Sequence, residues 1–77
     1  MNLTNWYRVA NSFARWATED HIEACRLIVA DYAHVERVTP RDVLTRLSVS
    51  LIDPTGFEYN EYNKIRSTIK ELMKEAS

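Results

Sequence analysis

Seventy-seven residues contain one cysteine, one glycine and two prolines. A lone thiol, Cys25, closes no intrachain disulfide, so a reducing, cytoplasmic setting is expected and the fold must hold without a covalent staple. A single glycine, Gly56, cannot build a phosphate-cradling loop, whose backbone needs several. So little glycine and proline argues against a turn-rich all-β fold and equally against a disordered chain. No apolar run approaches the ~20 residues of a membrane-spanning helix. The first ten residues, MNLTNWYRVA, lack the charged-then-apolar pattern of a secretory signal. An excess of charge of one sign is missing too. Ten basic and eleven acidic residues leave a net −1, which gives no global attraction to nucleic acid or to an anionic membrane. Binding to either would need a local patch.

What is present is an ordinary globular composition, 45% hydrophobic and 27% charged. The length fits one helical domain, 1–77, with a modest core. Four amphipathic segments predict an all-α, compact four-helix fold. The first covers about Thr4 to Ala17, with Leu3, Trp6, Ala10, Phe13, Ala14 and Ala17 on one face. Val9 and Trp16 lie about 100° from that face, as an edge that either a second helix or a partner covers. The second segment is expected to start at Thr18 as N-cap, with Glu19, Asp20 and Glu23 near its positive end. Its core face is Ile22, Cys25, Ile28, Val29, Tyr32 and Ala33. Leu27 and Ala30 point elsewhere, so it is apolar over more than one stripe and is expected to be central.

In the third segment, TPRD places Thr39 at the N-cap, Pro40 at the first helical position and Asp42 at the third. Val43, Leu44 and Leu47 follow on the inward face. The fourth runs from Asn60 to Glu75, with Tyr62, Ile65, Ile69, Leu72 and Met73 on the core side. Before it, Asp53-Pro54-Thr55-Gly56 suits a type I turn. The flanking residues, 48–59, form either a short β-hairpin or an ordered loop. The expected core is Trp6, Phe13, Ile22, Cys25, Val29, Tyr32, Val43, Leu44, Leu47, Ile65, Ile69 and Leu72.

Chemistry-bearing constellations are thin. His21 and Cys25 share one helix face and His34 lies near its end, but zinc wants about four convergent ligands. Cys25 with His21 is the minimum of a thiol nucleophile, yet the helix is mainly apolar and no oxyanion loop accompanies it. Glu19, Asp20 and Glu23 are explained by helix-dipole compensation. No catalytic residue, metal or cofactor is implied, and no enzyme activity is expected. The fourth helix is different: Lys64, Arg66, Lys70 and Lys74 against Glu71 give +3 over 64–74. Asn63 and Ser67 beside them can reach base edges or phosphates. Lysines near a helix C-terminus also complement the dipole, so a solvated face accounts for the same residues.

The stretch VTPRDVLTRLSVSLIDPTGFEYNEYNKIRSTIKELM, 38–73, resembles the helix-turn-helix-type C-terminal segment of phage and plasmid primase–helicase replication proteins. Those carry a VT-x-x-DVL-x-x-L helix, a loop of about ten residues and a basic helix. Val38, Thr39, Asp42, Val43, Leu44 and Leu47 match the first part; Lys64, Ile65, Ile69 and Leu72 match the last. The resemblance covers about half the chain and includes no ATPase or primase motif, so none of that enzymology carries over. It implies a trihelical module used for docking as often as for DNA, and its loop is longer than the turn of a simple helix-turn-helix.

Two functions are compatible with these features. One is a small protein–protein interaction module, a regulator or inhibitor of phage or mobile-element type that docks on a larger protein. Its expected surface is Val9, Trp16, Pro54, Phe57, Tyr59 and Tyr62, because aromatic anchors dominate interfaces. The alternative is a DNA-binding protein using Asn63, Lys64, Arg66, Ser67, Lys70 and Lys74. A homodimer is compatible with either; a membrane partner is not expected.

Overall fold

The computed structural model describes residues 3–50 and 59–76. Four helices follow one another: α1 (Leu3–Thr18), α2 (Ile22–Glu36), α3 (Pro40–Ser50) and α4 (Tyr59–Ala76). The described residues contain no strand, and the all-α four-helix expectation holds. Of the stretch considered for a hairpin, Ser48 to Ser50 form the last turn of α3 and Tyr59 opens α4. The remainder, with its Asp53–Gly56 turn, lies outside the described residues.

The helices form a ring. α1 packs on α2, α2 on α3, α3 on α4 and α4 on α1, with a smaller contact across the α2–α4 diagonal. Phe13, Cys25, Val43, Leu44, Leu47 and Ile65 are fully enclosed at the centre, with Trp6, Val29, Tyr32, Ile69 and Leu72 around them. Ala14, Ala17 and Ala33 are buried as well; having only a methyl group, they let the helix backbones approach. Ile22 was expected in this core and is exposed. It is the first residue of α2, at the mouth of the α1–α2 corner, where no neighbouring helix reaches over it.

That correction follows from another. Thr18 does not cap α2: it is the last residue of α1, and its hydroxyl donates to the Arg15 carbonyl at 2.8 Å. α2 begins four residues later, at Ile22, behind His21, which makes no side-chain capping bond. In between, the His21 N–H reaches the Trp16 carbonyl at 3.0 Å and the Asp20 N–H the Ala17 carbonyl at 3.3 Å. This pair of bonds is a Schellman motif, which needs a left-handed residue just past the helix end. Asp20 supplies it, at φ 61°.

α2 ends in the same way. The Val38 N–H bonds the Ala33 carbonyl at 3.0 Å, the Arg37 N–H bonds that of His34 at 3.3 Å, and Arg37 sits at φ 57° and ψ 42°. Glycine is the usual occupant of such positions, because a Cβ there costs about 1 kcal/mol or more. A chain with one glycine places aspartate and arginine instead. α3 then starts as expected. The Thr39 N–H donates to Asp42 Oδ2 at 3.3 Å, and the Asp42 N–H donates to Thr39 Oγ1 at 3.2 Å. The two donors satisfy each other reciprocally, with Pro40 between them.

Candidate docking surface

α2 was expected to be central. In the ring it has two flanking neighbours, α1 and α3, and α4 across the diagonal, so its second apolar stripe faces outward. Leu27 is 62% exposed and Val35 67%. Exposed Asp31 stands between them on the i, i+4, i+8 row, with exposed Ala30 and half-buried Ile28 to either side. Two large aliphatic side chains about two-thirds open on one helix leave apolar area that folding does not cover, as Tyr7 and Val49 do singly on α1 and α3.

The stripe borders a groove of about 330 Å³ between α1 and α2. Val9 and Arg8 contribute from the α1 side, and Ile28, Asp31, Val35 and Glu36 from the α2 side. A shallower hollow continues it over the outside of α2, sharing Ile28 and Asp31 and adding Leu27, Ala30 and His34. Tyr32 also lines the groove. Its ring leans on Trp6 at 5.8 Å, and its hydroxyl is buried without a hydrogen-bond partner among the described residues. Burial pushes this phenol above its ordinary pKa; the nearby Glu36 charge adds to the effect and Arg46 opposes it.

Several charges away from this face are paired. Lys64 reaches Asp20 at 2.9 Å and the Thr18 carbonyl at 3.5 Å, tying α4 to the α1–α2 corner. Arg26 bridges to Glu75 at 2.7 Å and to Glu23. Arg15 pairs with Glu19 at 3.7 Å. Around the groove, by contrast, Arg8, Asp31 and Glu36 make no ion pair or hydrogen bond through their side chains among the described residues.

The residues singled out from the sequence for partner binding separate into three groups. Val9 and Trp16 are half-buried and pack against the core, and of the two only Val9 lines the groove. Trp16 also meets the His21 ring edge-on at 5.2 Å and has the Arg15 guanidinium 5.9 Å from its centre. Tyr62 is half-buried on α4, with the Arg66 guanidinium 5.7 Å from its ring. Pro54, Phe57 and the side chain of Tyr59 lie outside the described residues. Leu27, Ile28 and Val35 were not singled out for binding. The signal was there, in a helix apolar on two stripes, but such a pattern equally describes a helix buried on both sides.

For the DNA alternative, Asn63, Arg66, Ser67, Lys70 and Lys74 are all exposed on the outer face of α4. Lys64 is exposed too but turned to the α1–α2 corner, where Asp20 offsets its charge. Cys25 is fully enclosed, and its thiol donates to the Phe13 carbonyl at 3.7 Å. Burial pushes its pKa up to about 11, the opposite of an activated nucleophile. Among the described residues no three His, Cys, Asp or Glu side chains gather as metal ligands would, and no helix is long and apolar enough to cross a membrane. Comparison of the chain with protein-family models, with curated proteins and with solved structures returned no match.

Proposed function

We propose that this protein is a small, non-enzymatic protein–protein interaction module, a cytoplasmic regulator or inhibitor that docks on a larger protein through the α1–α2 face. One observation carries this reading: the uncovered stripe of α2, with Leu27 and Val35 about two-thirds exposed beside a groove walled by Val9 and Ile28. Apolar area of this kind stabilises nothing in the free chain and contributes about 25 cal/mol per Å² when a partner covers it. An unpaired cation and two unpaired acids at its margin supply orientation.

The test is affinity capture of tagged protein from lysate, with and without nuclease, for the parent and for Leu27→Glu. A stoichiometric protein partner that survives nuclease and is lost with Leu27→Glu supports the reading. A partner retained by Leu27→Glu refutes the face.

A second reading has its own observation. Arg66, Lys70 and Lys74 recur at i, i+4 and i+8 beside Asn63 and Ser67, so the outer face of α4 presents cations with hydrogen-bonding side chains between them. In that reading the protein binds DNA, and affinity falls steeply with salt as counterions are released. Binding indifferent to salt, or unchanged in Arg66→Ala/Lys70→Ala, refutes it.

A further inference from the structure

We infer that the α1–α2 groove pairs two copies of this chain about a two-fold axis, so that self-association and docking on a larger partner exclude one another. The inference rests on the docking face proposed above and names an occupant for it when no other protein is bound.

An isologous contact uses one patch twice: whatever side chain i meets on the partner, the partner's copy of i meets in return. Such a patch must therefore be complementary to itself. A patch of one charge repels its own copy. The groove meets the requirement. Its apolar lining includes Val9, Ile28 and Val35. Its α1 margin carries a cation, Arg8, and its α2 margin carries two anions, Asp31 and Glu36. These three lack the ion pairs that Arg15, Arg26 and Lys64 have on the other faces.

α1 and α2 run antiparallel, since Trp6 near the start of one packs on Tyr32 near the end of the other. A two-fold axis running along the groove lays the α1 margin of one copy over the α2 margin of the next. Arg8 then meets Asp31 or Glu36 twice, once on each side of the axis, while Ile28 and Val35 of one copy close against Val9 of the other. A standard interface needs about 800 Å² from each partner. That is roughly one-seventh of this chain's 5372 Å² surface. α2 is only ~22 Å long at 1.5 Å per residue, so the pairing belongs at the weak end of that range, with dissociation in the micromolar region.

The experiment is sedimentation velocity on the purified chain over a concentration series up to ~500 µM, reading mass against concentration. The variants are Val35→Glu, Arg8→Glu, Asp31→Arg with Glu36→Arg, and the triple exchange. All four positions lie outside the buried core, and circular dichroism confirms that each variant is folded. The expected result is a mass that rises to twice the monomer and that Val35→Glu holds at one. Arg8→Glu alone, and the two acid reversals without it, each weaken pairing at least ~10-fold through like charges, and the triple exchange restores it.

A parent chain that stays monomeric at the highest concentration overturns the inference. So does a dimer that Val35→Glu leaves intact, or one that the triple exchange fails to restore. A monomeric parent would leave the docking reading standing, because lysate capture tests that separately. A dimer with no captured partner would remove the docking reading and keep this one.

Discussion

Replacing Thr39 by alanine tests how far local chemistry at one helix start governs the whole fold. The Thr39 hydroxyl accepts the Asp42 N–H at 3.2 Å, and the Asp42 carboxylate accepts the Thr39 N–H at 3.3 Å. Both bonds are exposed, so each exchanges against water, and a lost cap of this kind typically costs ~1 kcal/mol. Fraying cannot absorb that cost, because Val43 and Leu44, the fourth and fifth residues of α3, are each only 1% exposed. A first turn that opened would draw them out of the core. For a domain of this size, with total stability of roughly 4–12 kcal/mol, 1 kcal/mol lowers Tm by about 4–8 °C. Thermal and urea unfolding followed by circular dichroism measure it.

The reciprocal geometry makes a sharper demand. Each side chain accepts from a backbone N–H that survives the other substitution, so Thr39→Ala and Asp42→Ala each remove one bond, and both single changes in a double-mutant cycle should destabilise. A Thr39→Ala change within ~0.3 kcal/mol of the parent would refute the claim that the box anchors α3.

Two further outcomes follow from the same structure. Arg37→Gly relieves a left-handed residue that has no side-chain partner among the described residues. It should stabilise the chain by roughly 0.5–1 kcal/mol, after the greater freedom of glycine in the unfolded state is subtracted; urea titration showing no gain would count against strain at this helix end. Cys25 has its thiol pKa raised from 9.0 to about 11 by burial. A raised pKa contributes stability that is intact below pH 9 and is lost as pH climbs through 11, because only the unfolded thiol ionises readily in that window. Alkaline unfolding of the parent should therefore be steeper between pH 9 and 11 than that of Cys25→Ala. At pH 8, labelling by a disulfide reagent should occur only as fast as the chain opens; prompt labelling of the folded protein would contradict the burial.

Much of the fold was legible in one dimension. The 3.6-residue spacing of Trp6, Phe13 and Ala17, and of Ile65, Ile69 and Leu72, identified buried faces correctly, since a helix can enclose only residues that share a side. The Thr39–Asp42 box was legible because its partners are three residues apart and need nothing from the rest of the molecule. The start of α2 was not. Thr18 has the chemistry of an N-cap, but the corner is closed by backbone bonds across Asp20, and no glycine marks it. Ile22 was misplaced in the core for the same reason. The docking surface shows the limit most clearly. Residue spacing alone established that α2 is apolar on two sides and that Val9 and Trp16 form an edge of α1. Whether a second apolar stripe is core or surface depends on how many helices surround it, and that number belongs to the tertiary structure. Among the described residues four helices close into a ring, none lies at its centre, and none lies over Leu27 and Val35, which are left outside.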